Sequence, residues 1–144
     1  MTDAHHIPIS QDAALVIALA GTAIPFARSA EDEAERWLRA LRLHGEVGRV
    51  MQALGVSESS LSEAEEPRHD APPLGEPVLE RVTRLAASHT SERDGDSVGT
   101  EDLLHAVLEI YGDLFEHVLY IRGTSGKELF EHVGDPHPAR SAAS

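Results

Sequence analysis

The sequence has no cysteine and no asparagine, a single lysine (Lys127), and only 4% aromatic residues in 144. Without cysteine there is no disulfide framework, thiolate nucleophile, iron–sulfur cluster or thiolate zinc site. The chain suits a reducing compartment, and the cytoplasm is the expectation. The shortage of lysine and asparagine reads as codon-usage bias rather than mechanism. Positive charge is scarce as well, with 12 Lys+Arg against 25 Asp+Glu and a net charge of −13. Nucleic-acid affinity comes largely from Lys and Arg neutralising phosphates, so nucleic acid and anionic membrane surfaces are poor partners. Long apolar runs are also missing. The one uncharged stretch, Ala13 to Ala27, contains Gly21 and Pro25 and falls short of the roughly 20 residues a spanning helix needs. The residues before it carry Asp3 and Asp12 but no Lys or Arg, unlike a signal peptide. A core helix is expected there, in a chain of single-domain length.

What the sequence does have is helical spacing. Ser10 reads as the N-cap of a helix to Thr22, with Leu15, Val16, Leu19 and Ala20 on one stripe, and Pro25 ends or redirects it. Ser29 opens a second helix, with Glu31 and Asp32 at the positive end of its dipole and Trp37, Leu38, Ala40 and Leu41 inward. A third, Glu46 to Leu54, stops at Gly55, and a further helical turn is expected from Ser57. From Ser57 to Pro73 the run SESSLSEAEEPRHDAPP reads as a linker. Helical spacing resumes at Glu76 with Val78, Leu79, Val82, Leu85 and Ala86, and Thr90 to Ser97 reads as a loop. Thr100 reads as the cap of a helix with Leu103, Leu104, Ala106, Val107 and Ile110. Another follows Gly112 with Leu114, Phe115, Val118, Leu119 and Ile121, and a short one spans Lys127 to Val133. Strand-like alternation is scarce, so the expected class is all-α.

The two sides of the linker resemble each other. A shift of 66 residues sets Val16 on Val82, Leu19 on Leu85, Glu35 on Glu101, Leu38 on Leu104 and Leu41 on Val107; a shift of 68 sets Val50 on Val118 and Gly55 on Gly123. Two pseudo-symmetric helical repeats packed as one globular domain are expected. The boundaries read as a disordered N-terminus at 1–8, repeat one at 9–60, a linker at 61–73, repeat two at 74–133 and a flexible tail at 134–144.

Val98-Gly99-Thr100-Glu101-Asp102-Leu103-Leu104, followed by Ala106, Val107 and Leu108 and later Val118-Leu119, resembles the repeat of the Clp N-terminal domain, centred on a Gly-Thr-Glu-His-Leu-Leu motif. The first repeat keeps the apolar frame and the ending Met51-Gln52-Ala53-Leu54-Gly55-Val56, but Glu33-Ala34 replaces Gly-Thr before Glu35. The resemblance covers Ile9 to Val133. It implies an adaptor, decoy or regulator that docks substrate proteins or peptides, with a AAA+ Clp unfoldase as a further partner. It also implies capture of cyclic-peptide antibiotics as a subsidiary role. The motor is absent from this sequence. Gly123-Thr124-Ser125-Gly126-Lys127-Glu128 lacks the first glycine of a phosphate loop and puts Glu128 where Ser or Thr would bind magnesium.

In some members of that family the motif glutamate of each repeat holds the guanidinium of a phosphorylated arginine. The resemblance therefore implies ligand roles for Glu101 and Thr100, and for the degraded counterpart near Glu33 and Glu35. Bidentate carboxylate–guanidinium pairing beside a helix N-terminus is sound chemistry for such a ligand. Asp102, where the family has His, adds negative charge that opposes a phosphate. The alternative is a small helical metal- or ligand-binding enzyme using Glu101, Asp102 and His105, set one turn apart on one helix. Against it stands the lack of matched Glu-x-x-His pairs; the near-copies Asp113–Val118 and Glu128–Val133 read as core frames with Glu and His facing water. No Ser/His/Asp arrangement stands out, so catalysis, a cofactor and a resident metal are not expected. The chain is expected to be a monomer or weak homodimer, dimer scaffolding being the blander option.

Overall fold

A computed structural model of the chain describes residues 7–56 and 72–133. The Ser10 hydroxyl accepts the Ala13 N–H at 3.1 Å and starts α1 (Gln11–Ala23). Pro25 then permits only a 3-10 turn, Ile24–Phe26. Ser29 accepts the Asp32 N–H at 3.1 Å and starts α2 (Ala30–Leu43), whose first turn holds Glu31, Asp32 and Glu33 at the positive dipole end. Then come α3 (Gly45–Ala53), α4 (Pro77–Glu92), α5 (Thr100–Tyr111), α6 (Asp113–Ile121) and α7 (Gly126–Val133). The described residues are all-helical apart from one isolated parallel bridge, Ile9 to Val98, and the all-α expectation holds. Among them no helix is long and apolar enough to cross a membrane.

Two helices end alike. Gly55 (φ +83°) follows α3, with Val56 N–H on Met51 O and Gly55 N–H on Gln52 O. Gly123 (φ +86°) follows α6, with Thr124 N–H on Leu119 O and Gly123 N–H on Tyr120 O. Each closes the last carbonyls of its helix in the left-handed turn that glycine tolerates best.

Helix α2 lies at the centre, packed against α1, α3, α5 and α6, while α4 pairs with α5 and α7 rests on α3 and α5. Trp37, Phe115, Ile24, Leu38, Leu41, Met51, Leu103, Leu104 and Leu119 are fully buried at this centre. Burying each such side chain contributes about 1.5–3 kcal/mol before the entropy of ordering is subtracted.

The structure differs from the sequence reading in three places. Helix α4 runs through Thr90 to Glu92, read as loop, because the Thr90 hydroxyl donates back to Ala86 O at 2.8 Å and the helix end is anchored by ion pairs described below. Thr100 is the first helical residue, not the cap: Gly99 takes the cap position and donates its N–H to Asp102 at 2.9 Å. Ile7 packs against the core, and Pro8 O accepts the Val98 N–H at 2.8 Å, so these two residues of the segment read as disordered are held. The linker from 57 to 71, the turn expected from Ser57 and the tail at 134–144 lie outside the described residues.

Candidate functional site

Gly45, the first residue of α3, has φ +79°, and a Cβ there would stand 2.8 Å from Thr100 Oγ1 and 3.2 Å from the Asp12 Cβ. The absent side chain lets the starts of α1, α3 and α5 meet. Thr100 is buried at this junction, and its hydroxyl accepts the Val47 N–H of α3 at 3.3 Å. The three helix starts surround a cleft of about 490 Å³. Ser10 and Asp12 line it from α1, Glu46 from α3, and Gly99, Thr100 and Glu101 from α5; Arg93 after α4 and Val133 at the end of α7 complete it. Amides at a helix start have no partner inside the helix and favour an anion, while the carboxylates of Asp12, Glu46 and Glu101 favour a cation. The cleft thus offers both poles within one hollow.

Its cationic pole is fixed from below. Asp102 is fully buried, and its carboxylate takes Arg93 Nε at 2.8 Å and Nη2 at 2.6 Å, the Gly99 N–H, and His89 Nδ1 at 2.6 Å. Burial alone would raise this carboxyl's pKa, but the donors from Arg93, Gly99 and His89 outweigh it and hold the group well below the usual carboxylate range. The same pairing raises Arg93, against the smaller opposing effect of burial. Asp102 therefore brings no exposed negative charge to the cleft. Its charge is paired with Arg93 and hydrogen-bonded to His89, so the Asp102–Arg93 pair brings no net charge to this side of the cleft.

Glu101 and Thr100 thus sit together on the cleft; Glu33 and Glu35 do not line it. Glu33 is fully buried, accepting Leu74 N–H at 3.0 Å, Gly75 N–H at 2.7 Å and the Tyr111 hydroxyl at 2.9 Å. Tyr111 in turn accepts from Trp37 Nε1 at 3.2 Å. Burial, then the bond to Glu33, push the Tyr111 hydroxyl far up, so it stays a donor at any ordinary pH. Glu35 is 8% exposed and pairs with Arg122 Nη2 at 3.4 Å. Burial pulls the Arg122 guanidinium down, and Glu35 counters it. Glu33 and Glu35 are thus both engaged inside the fold.

The grouping of Glu101, Asp102 and His105 takes another form. Asp102 is occupied by Arg93 and His89, and the His105 ring is stacked between His89 and Phe130. Among the described residues no group of three His, Asp or Glu side chains is placed to hold a metal ion. In the near-copies, Phe115, Val118, Leu129 and Val133 are buried as expected, but Glu116 and His117 do not face water: Glu116 accepts the Gly126 N–H, and His117 Nε2 lies 3.8 Å from Glu31 with its side chain 20% exposed. Around the Gly-rich turn, Ser125 caps α7 by accepting Glu128 N–H at 3.0 Å, and Gly126 donates its N–H to Glu116 at 3.1 Å.

Ser10, Asp12, Glu46 and Arg93 were not singled out as site residues from the sequence. The first three show only as cap or first-turn residues of two helices, α1 and α3, and nothing local indicates that those helix starts converge with that of α5. The chain matches no protein-family model and no curated protein sequence.

Proposed function

We propose that the chain is a non-catalytic protein-binding module of the Clp N-terminal type, built from two pseudo-symmetric helical repeats. It works in the cytoplasm as an adaptor, decoy or regulator, with a AAA+ Clp unfoldase as partner. It takes arginine-bearing segments of client proteins, phosphoarginine above all, at the α1/α3/α5 cleft, where a cyclic-peptide antibiotic could also compete. The observation that supports this most is the company Glu101 keeps: a carboxylate on the cleft, beside the α5 start and across from an Arg93 already oriented by a buried Asp102. A guanidinium fits the carboxylate side and its phosphate fits Arg93 and the helix-start amides. The repeat reading is supported by the matched glycine endings of α3 and α6, which fall 68 residues apart at Gly55 and Gly123. With Glu33 and Glu35 turned inward, one working site per chain is the reading.

Calorimetric titration with an arginine-phosphorylated peptide and its unmodified twin tests it on wild type and Glu101→Ala. The expectation is phospho-selective binding at one site per chain, weakened at least about tenfold in the variant, the ~1.4 kcal/mol scale of one charge-assisted pair. No heat with either peptide removes Glu101 as a ligand residue.

A further inference from the structure

Where α4, α5 and α7 meet, three rings form a stack beside the cleft. The His105 ring lies between His89, at a centroid distance of 3.8 Å and 28° between planes, and Phe130, at 4.0 Å and 25°. His89 is fixed at the bottom of the stack. The ionised Asp102 can only accept, so the 2.6 Å contact makes His89 Nδ1–H the donor. The single negative charge of Asp102 is already met by the two-point contact with Arg93. Asp102 is divided between Arg93 and His89, so a further proton on His105 finds no undivided share of it.

We propose that this stack is a proton-sensitive latch: a proton on His105 lifts Phe130 off the ring and releases α7 from α5. The groups around His105 set the sign. From α4, His89 and Arg93 both oppose a cation. From α5, Asp102 favours one but is shared with those same two groups, and Glu101 and Glu109 stand one helical turn to either side. From α7 the contact is Phe130, while its charged residues are engaged elsewhere: Lys127 with Glu131 at 2.9 Å, Glu128 with the Thr124 hydroxyl at 2.9 Å, and His132 Nδ1 against Glu128 O at 3.0 Å. The face of Phe130 attracts a cation. That gain requires the imidazolium to stay half-buried against His89 and Arg93, and swinging into water relieves both penalties. Burial, and after it His89, hold His105 below the ordinary imidazole value of 6.5, in keeping with the geometry. Because α7 ends at Val133 on the cleft, its release opens one wall. The latch itself does not depend on what the cleft binds.

The test is an NMR titration of the labelled full chain from pH 8 to 5, following the His105 imidazole signals and the exchange protection of the Leu129 and Phe130 amides. The expectation is a His105 midpoint below 6.5 and a loss of α7 protection of about tenfold with the same midpoint, while α2 amides keep theirs. In His105→Phe, which keeps a ring in the stack but cannot take a proton, α7 protection is expected to be flat. Protection of α7 that stays constant through the His105 titration overturns the proposal, as does an undiminished loss in His105→Phe. If that variant does not fold, the wild-type spectra decide alone: the α7 midpoint either coincides with that of His105 or follows another histidine, which refutes the latch.

Discussion

Replacing Glu33 by alanine removes one acceptor group that serves three buried or half-buried donors: the Leu74 and Gly75 amides and the Tyr111 hydroxyl, at 3.0, 2.7 and 2.9 Å. Each stranded donor costs about 1–3 kcal/mol, and water entering the vacated space recovers part of it, so a net loss of about 3–5 kcal/mol is expected. That is a large share of the 5–15 kcal/mol typical of a whole domain. Glu33→Gln keeps the shape but turns an N–H₂ group toward one donor and should cost about 1–3 kcal/mol. Tyr111→Phe leaves Trp37 Nε1 without its 3.2 Å acceptor and should cost about 1–2 kcal/mol. The two losses should not add, because both variants break the same bond, and a coupling of about 1 kcal/mol is expected in the double-variant cycle. Urea unfolding followed by the fluorescence of Trp37, the single tryptophan, measures wild type, the three single variants and the double variant with a reporter inside this network. A Glu33→Ala protein within about 1 kcal/mol of wild type refutes the reasoning and returns Glu33 to the candidate ligand residues.

Other substitutions probe features of equal definition. Gly112 has φ +56° and ψ −124°, a region closed to side chains, yet a Cβ there meets nothing within 4 Å. Gly112→Ala should thus lose about 1–3 kcal/mol from backbone strain alone, read as a lower Tm in calorimetry. Asp94 is the one non-glycine residue with positive φ (+56°) among those described, so Asp94→Gly should gain up to about 1 kcal/mol in the same assay, and a loss would mean its side chain matters more than its backbone. Asp102→Asn should cost about 2–3 kcal/mol, since Arg93 keeps partial access to water while the Gly99 amide and His89 lose a charged acceptor. The Asp102 carboxyl is held low in the fold, so its stabilisation is complete above the unfolded value of about 3.9 and is lost as pH falls below it. Acid unfolding followed by circular dichroism should accordingly be shallower in Asp102→Asn than in wild type.

The helices were legible because their signals are local. Ser10 and Ser29 announce helix starts by side-chain chemistry, Gly55 and Gly123 announce ends by the turn they permit, and apolar spacing supplies the faces between. What depended on distant partners was not legible. Glu33 looks like an ordinary first-turn acid until Leu74, Gly75 and Tyr111 fold onto it. Thr90 and Arg93 sit in a run with loop composition that Asp102 draws into the end of α4. The Thr100 hydroxyl accepts the N–H of Val47, 53 positions earlier, instead of one from its own helix. Of the candidate site, Glu101 and Thr100 could be named from their motif. The cleft around them could not, because Asp12, Glu46 and Arg93 come from three other segments joined only by packing at Gly45.

The central claim is that Glu101 and its cleft form the ligand surface, and amide chemical-shift mapping with an arginine-phosphorylated peptide tests it most directly. The largest shifts are expected at Ser10, Asp12, Glu46, Gly99, Thr100 and Glu101, with the amides around Glu33 and Glu35 unmoved. Shifts centred on α2, or spread with no maximum at the three helix starts, would contradict it.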